Sequence, residues 1–316
     1  MIMKQSKSKY LARLTVLATI SIAGWVVASD TNGFNYPARQ LLPAAWKASW
    51  SPDSKNLAFT RQGGGIAVLE LESGRVTDLK PGGKDPAWSP DGKFIAYVGG
   101  TGERGDNTSL EEVWILPAKG GEPVKIGQGG FPAWTADSKR VLFHSRSQSK
   151  ILSVAVDAPQ ESPAVFFANP DATRSASLPS LYPAISPDGS RIAFGGQGKL
   201  TVFEAKTGQT IASFSTPGEP GLLAGWSPDG RQVAFGGFRV GRAGLWIFDV
   251  ERGGAYQVAE DPGCTMPAWS PDGKSLVFDL RAETNAVEAR SLWIINTEAL
   301  PRNPALTNQL PARVNR

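Results

Sequence analysis

Histidine and cysteine are almost missing from this chain of 316 residues, which has one of each, His144 and Cys264. A single cysteine excludes an intramolecular disulfide and a cysteine-based metal cluster. A single histidine excludes the transition-metal sites that need several imidazole ligands. No G-x-S-x-G segment is present, so the nucleophile of the hydrolases that carry this motif is missing as well.

The chain also lacks a real excess of positive charge. Its formal net charge is +4, but residues 1–29 contain Lys4, Lys7, Lys9 and Arg13 and no acidic residue. The remaining residues are neutral, with 29 basic and 29 acidic side chains. A nucleic-acid surface needs clustered excess lysine and arginine, so we expect no nucleic-acid partner.

Residues 1–29 have the pattern of a secretory signal, in which a basic segment precedes an apolar run from Leu14 to Val27. Ala28 and Val26 then provide a small-residue cleavage site. The run is shorter than the roughly 20 residues of a membrane span. We therefore expect an exported protein, periplasmic or secreted, with an uncleaved N-terminal anchor helix as the alternative. Residues 30–44 are interpreted as a linker and residues 309–316 as a C-terminal tail.

One phrase recurs six times between these segments, and such repeats are the first feature to look for in a sequence. Its first aromatic or apolar residue is followed by S-P-D-G or a close variant. The six starting positions are Trp50, Trp88, Trp134, Ile185, Trp226 and Trp269. Their spacing of about 40–45 residues is typical of propeller blades rather than helical repeats.

The residue types of the phrase predict a tight turn between two strands. Proline presets φ, aspartate bonds the backbone, and glycine accepts the left-handed conformation. Ser54 and Ser138 replace that glycine in two copies, so we expect strained turns there. Apolar strands precede and follow each turn, a third strand follows each hairpin, and weaker fourth strands complete each set. No convincing helical periodicity is present after residue 40.

The sequence therefore predicts an all-β, six-bladed β-propeller of four-stranded antiparallel blades over residues 45–308. Radial packing of the sheets buries their apolar faces and protects their edges. We expect the repeated tryptophans to pack between blades, with an aromatic ligand platform as the alternative: Trp50, Trp88, Trp134, Trp226 and Trp269. We assign a structural role to the turn aspartates as well: Asp53, Asp91, Asp137, Asp188, Asp229 and Asp272.

These SPD and SPDG turns resemble the TolB-like, WD40-like repeat of six-bladed propellers, and the resemblance covers about residues 45–308. The TolB family has a separate α/β domain before its propeller. Only about 15 residues separate the signal segment from the first blade here, so we expect the propeller without that domain. The resemblance implies the fold, whereas function resides in sites added to the fold.

The face opposite the SPDG turns contains the longest and most charged connections, and we expect a partner to bind there because loops on a rigid scaffold usually perform recognition. Its candidate binding residues are Arg61, Glu103, Arg104, Asp106, His144, Arg146, Arg239, Arg242, Arg281 and Glu283. The expected function is that of a monomeric, non-catalytic scaffold for an envelope or extracellular protein. Membrane attachment is expected only through the N-terminal segment, if that segment stays uncleaved.

The alternative function is a metal-dependent hydrolase of the lactonase type with Ca²⁺ in the central channel. Calcium needs six or more oxygen ligands. The carboxylates considered for it are Glu103, Asp106, Asp279 and Glu283, which come from only two blades. We therefore expect no metal, no cofactor and no catalytic residue. Ring closure is left with two solutions, in which either the segment NPALTN or residues 34–42 complete the last blade.

Overall fold

The computed structural model describes residues 34–99, 111–145, 150–168, 183–196, 198–216, 221–237, 244–261, 263–282 and 289–308. These residues form the six-bladed, all-β propeller that the repeat predicts, with antiparallel four-stranded blades. The N-terminal signal or anchor segment lies outside the described residues. Among the described residues, no helix has the length and apolarity of a membrane span.

Each blade adds its strands from the propeller axis outward. The innermost strands of blades one to six are β2 (Ala45–Trp50), β6 (Lys84–Trp88), β10 (Gly130–Trp134), β14 (Ala184–Ile185), β18 (Gly221–Trp226) and β22 (Cys264–Trp269). The second strands are β3 (Asn56–Arg61), β7 (Phe94–Gly99), β11 (Arg140–Ser145), β15 (Arg191–Gly196), β19 (Gln232–Gly237) and β23 (Ser275–Ala282).

The third strands are β4 (Ile66–Glu70), β8 (Glu112–Pro117), β12 (Lys150–Ala155), β16 (Lys199–Glu204), β20 (Leu245–Asp249) and β24 (Ala289–Asn296). The outermost strands are β5 (Val76–Lys80), β9 (Val124–Gln128), β13 (Ala164–Ala168), β17 (Thr210–Ser215), β21 (Gly254–Ala259) and, for the sixth blade, β1 (Ala38–Pro43). A 3-10 helix follows β24 at Thr297–Ala299.

The core lies between the blades rather than inside any one sheet. The second strands are almost continuously buried, as in β7 and β11, because both of their faces meet a neighbouring sheet. The fully buried Phe59, Phe143, Phe235 and Phe278 occupy the same position in four of these strands. Six of the seven buried clusters of the described residues combine residues of two adjacent blades, so no blade could bury its apolar faces alone.

Ring closure uses the N-terminal segment. Strand β1 pairs antiparallel with β24, with Ala38 opposite Ile295 and Pro43 opposite Ser291. This corrects the interpretation of residues 30–44 as a linker, since β24 has a free edge that only another strand can satisfy. The segment NPALTN is not the fourth strand of the sixth blade. Its Thr307 forms an isolated bridge with Ala255 on the outer edge of blade five instead.

Candidate functional site

The face with the SPDG turns, called here the turn face, repeats one hydrogen-bond network in all six blades. In blade one, the Ser51 hydroxyl donates to Asp53 at 2.5 Å, and the Lys55 amide donates to the same carboxylate at 3.0 Å. In blade four the Ser186 and Ser190 hydroxyls donate to Asp188 and lower its pKa to about 2. Each turn aspartate thus has its partners within its own turn, which is a structural role.

The two turns without glycine are strained, and each gains a contact in return. Ser54 and Ser138 have φ of 60° and 59°, in the left-handed region that glycine favours. The Asp272 amide of blade six donates to the Ser54 hydroxyl at 3.1 Å, and the Asp91 amide of blade two donates to Ser138 at 3.0 Å. The serine side chains therefore connect neighbouring blades in a way that glycine could not.

The five repeated tryptophans lie in apolar clusters shared by neighbouring blades. Three of them, in blades one, three and five, also donate an indole hydrogen bond to the preceding blade. The pairs are Trp50 to the Ala268 carbonyl, Trp134 to the Ala87 carbonyl, and Trp226 to the Ala184 carbonyl, all at 2.9–3.0 Å. Trp88 bonds the Gly92 carbonyl of its own turn instead. Inter-blade packing accounts for these rings.

On the opposite face, called here the loop face, four innermost strands contain a β-bulge three residues before the tryptophan. The residues with left-handed φ are Lys47, Asp85, Phe131 and Met266, with φ of 50° to 54°. The register shifts at the same positions, for example between Trp46 and Ala48. Such φ values are uncommon for these residue types, and bulges redirect side chains near functional sites.

Two of the bulges are held by a side chain of the preceding blade. The Lys47 amide donates to the Asp279 carboxylate at 2.9 Å, and the Asp85 amide donates to the Thr60 hydroxyl at 3.0 Å. Thr60 and Asp279 both follow the buried phenylalanine of their second strand. The residue at that one position therefore determines how blade six joins blade one, and how blade one joins blade two.

The bulges bring a group of charged side chains together near the axis, on the loop face. This group, called here the axial mouth, consists of Lys47, Lys84, Asp85, Glu111, Asp279 and Arg290. The Lys84 ammonium is 2.7 Å from Glu111, and the Arg290 guanidinium is 3.6 Å from Asp279. Arg290 also lies over the Trp46 ring, 5.1 Å from its centroid. The residues come from blades six, one and two, so ring closure is needed to assemble them.

Burial controls the protonation of the two aspartates in the axial mouth. Burial raises the pKa of Asp279 to about 7, although Arg290 and the Lys47 amide oppose that shift. Burial also raises the pKa of Asp85, against the charges of Lys47 and Lys84. One oxygen of each carboxylate, Oδ1 of Asp85 and Oδ2 of Asp279, has no hydrogen-bond partner. Buried acceptors without a hydrogen bond are rare, and of these two only Asp279 Oδ2 has an ion pair, with Arg290.

Apolar side chains occupy the axis near the axial mouth. Met266 of blade six packs against Trp46 of blade one and Phe131 of blade three. Blades three and six lie on opposite sides of a six-membered ring, so their side chains meet near the centre. These apolar side chains therefore narrow the channel at the level of the bulges, which is also the level of Lys47 and Asp85.

The structure separates the sequence-predicted binding residues into different environments. Arg61 pairs with Asp78 of the outermost strand, away from the axis. His144 is buried within β11, with 3% of its surface exposed. Arg281 is half-buried near the end of β23. The other predicted residues lie outside the described part of the chain: Glu103, Arg104, Asp106, Arg146, Arg239, Arg242 and Glu283.

Sequence reasoning missed four residues of the axial mouth, namely Lys47, Lys84, Asp85 and Arg290. The available signal is the charge that appears three or four residues before Trp50 and Trp88, in the segments KASW and KDPAW. The other four blades have uncharged residues at these positions. Asp279 was considered only as a calcium ligand. No three His, Cys, Asp or Glu side chains of the described residues form a group suited to a metal ion.

No protein-family model and no curated protein matches this chain. Solved propeller structures do match. TolB from Acinetobacter baumannii has a TM-score of 0.54 at 19% identity, with 73% of this chain covered, and the chain spans 59% of that structure. An oligogalacturonate lyase in complex with manganese has a TM-score of 0.54 at 15% identity, covering 84% of this chain and 78% of the lyase.

The Cps50 (Swd1) propeller domain of Myceliophteria thermophila has a TM-score of 0.53 at 14% identity, covering 82% of this chain and 99% of that domain. These structures include a lyase as well as TolB and a propeller domain, and their identity to this chain is 14–19%, so the likeness extends to the fold and not to a shared activity. By its structure, the chain is similar to TolB and WD40-type β-propellers.

Proposed function

We propose that this protein is an exported, non-catalytic propeller that binds another envelope or extracellular protein through its loop face. The observation that supports this most is the contrast between the two faces. Each of the six turn aspartates accepts hydrogen bonds inside its own turn, whereas in the axial mouth the buried Oδ1 of Asp85 has no hydrogen-bond partner and Oδ2 of Asp279 has only the Arg290 guanidinium, 3.6 Å away. Charged side chains gathered from three blades at one end of a rigid scaffold, rather than used up inside single turns, are a suitable surface for recognising a partner.

The packing near the axis favours surface binding over chemistry inside the channel. Met266, Trp46 and Phe131 meet there, so a substrate entering from the loop face would contact apolar side chains rather than converging ligands. The rigid ring presents the axial mouth with little ordering cost on binding, because bulges and inter-blade hydrogen bonds already fix its backbone. These features suit a preorganised docking surface.

Site-specific photo-crosslinking tests which face binds. A photoreactive residue replaces Lys84 on the loop face in one variant, and Lys55 or Lys274 on the turn face in two matched controls. All three lysines have partly or fully accessible side chains at the start or end of a strand. We expect a discrete protein adduct from position 84 in envelope extracts and none from positions 55 and 274. Adducts from the turn face alone would contradict the proposal.

The competing calcium-dependent hydrolase has a separate test. Thermal unfolding of the full chain is measured with and without added Ca²⁺. A ligand that binds only the folded state raises its apparent stability, by about 2.7 kcal/mol at a hundredfold excess over Kd. We expect no rise in Tm. A rise that saturates with Ca²⁺ would favour the hydrolase over the binding module.

A further inference from the structure

The axial mouth exposes one of its lysines and buries both of its aspartates. The Lys84 side chain is 41% exposed and the Arg290 side chain 12%, whereas the Asp279 side chain is fully buried and Asp85 is 4% exposed. The third acid, Glu111, is 20% exposed and forms an ion pair with Lys84. An approaching molecule therefore meets the Lys84 ammonium before the two buried aspartates, in a group of three acids and three bases.

Lys47 interacts with both buried aspartates of the axial mouth, since its charge opposes the rise in the pKa of each. Its side chain is half-buried, and no ion pair to it is found among the described residues. Its backbone is held in the left-handed conformation by the hydrogen bond from its amide to Asp279. A bulge redirects the side chain of a strand residue, and Lys47 lies in the innermost strand of blade one, the strand next to the axis.

We infer that the loop face receives an acidic segment of its protein partner, with one or more carboxylates of that segment binding Lys47, Lys84 and Arg290. This inference rests on the proposed function and adds the chemistry of the partner. Charge complementarity of this kind selects partners and accelerates association. The buried aspartates keep the cations in place, and Trp46 supports the Arg290 guanidinium by a cation–π contact.

A general preference for polyanions does not fit the rest of the molecule. Outside residues 1–29 the chain is neutral, with 29 basic and 29 acidic side chains. Nucleic-acid binding depends on many phosphate contacts spread over an extended basic surface. The axial mouth offers three cations within one small area, which suits a few carboxylates better than a nucleic-acid backbone.

Fluorescence anisotropy with defined probes tests the inference on the full chain. The probes are labelled hexaglutamate, labelled hexalysine and a labelled single-stranded oligothymidine. We expect saturable binding of hexaglutamate at low ionic strength, weaker binding as salt is added, and no binding of hexalysine. The double variant Lys47→Glu with Lys84→Glu should lose at least about tenfold in affinity. The neutral variant Lys47→Gln should lose less.

The matched control reverses two charges on the turn face, in Lys55→Glu with Lys274→Glu. Both lysines are exposed, and the change in net charge is identical. This control should stay within about twofold of the parent affinity, and circular dichroism checks that all variants are folded. Equal losses in both double variants, or no saturable hexaglutamate binding, would overturn the inference. Oligothymidine bound as tightly as hexaglutamate would overturn it too.

The outcomes also separate this inference from the proposed function. If a partner crosslinks from position 84 and Lys47→Glu does not weaken this crosslink, the loop face is the binding face but the inference of an acidic segment is wrong. A partner that crosslinks only from the turn face would contradict the proposed function itself.

Discussion

The joints between blades of this propeller differ most clearly at one position, the residue after the buried aromatic of each second strand. At the joints of blade six to one and of one to two, Asp279 and Thr60 accept a hydrogen bond from a bulged backbone. At the joints of blade four to five and of five to six, the residue is Gly195 or Gly236.

The glycine joints bring backbones into direct contact. Gly195 pairs with Leu222 of the next blade, so the sheets of blades four and five become continuous. A β-carbon on Gly236 would lie only 2.5 Å from the Cys264 carbonyl oxygen of blade six. The ring therefore contains two kinds of joint. In the glycine joints the backbones meet without a side chain between them, and the polar joints place charged groups near the axis. The difference shows that a repeated fold acquires a unique site through the residues that join its repeats.

The substitution Gly236→Ala, at a glycine joint, should cause the largest loss of stability. The new methyl group would meet a backbone carbonyl that cannot move without opening the joint of blades five and six. We expect a loss of about 3 kcal/mol in the free energy of unfolding, measured by urea denaturation. The matched control is Gly130→Ala, whose nearest atom is the flexible Glu111 carboxylate end at 2.9 Å. A similar loss in both variants would show that the glycine joint is not special.

The substitution Thr60→Val tests a polar joint at the same position. It keeps the volume of the fully buried side chain but leaves the Asp85 amide without its acceptor. We expect a loss of about 2 kcal/mol in the same measurement, because a buried unpaired donor costs its full desolvation. Thr60→Ser retains a hydroxyl and should recover part of this loss. Equal stability of the valine and serine variants would mean that the hydrogen bond does not hold the joint.

The substitution Asp279→Asn tests the second polar joint through pH. The raised pKa means that the folded chain keeps its proton between the ordinary value of 3.8 and about 7, whereas the unfolded chain loses it. Parent stability therefore falls as pH rises through that window, and the fall is absent from the variant. Asparagine still accepts the Lys47 amide. We expect the free energy of unfolding of the variant to rise relative to that of the parent from about pH 4 to about pH 8. Above about pH 8 the difference between the two should stay constant.

That gain is measured by urea denaturation of both proteins in a series of buffers. A difference that does not change with pH would show that the pKa of Asp279 is the same in the folded and the unfolded protein, so that burial does not raise it.

The substitution Ser54→Ala should have the smallest effect, and it concerns the turn face. It removes the acceptor of the Asp272 amide and keeps a side chain at a φ of 60°. We expect a loss of about 1 kcal/mol in the free energy of unfolding. Ser54→Gly loses the same bond but relieves the backbone, so it should be more stable than the alanine variant. If alanine is the better tolerated of the two, the turn is not strained.

The sequence was sufficient for the architecture because each blade repeats the same local chemistry. The SPDG turns, the strands around them and the strain at Ser54 and Ser138 all follow from residue types within ten positions of one another. Ring closure did not follow, since β1 and the segment NPALTN are both short and weakly patterned. Their places depend on competition for the edge of β24, which is a long-range property.

The axial mouth was beyond sequence reasoning for a related reason. Lys47, Asp85 and Arg290 belong to different blades and are more than 200 residues apart at the extremes. Their meeting requires the completed ring and the bulges, and nothing in the local pattern of KASW or KDPAW marks a bulge. Charged residues in an innermost strand were the one available indication, and their proximity to the axis was not apparent without the register of the blades.

The pairing of β1 with β24 has a consequence for how the molecule is made. Strand β1 can pair only after β24 has been synthesised, about 250 residues later. Until then β1 is unpaired and the ring of blades is open. Contacts between residues far apart in sequence form slowly, so we expect ring closure to be a late step. A circular permutant that moves residues 34–44 behind residue 308 would make this contact local, so its final folding step should be faster than in the natural order.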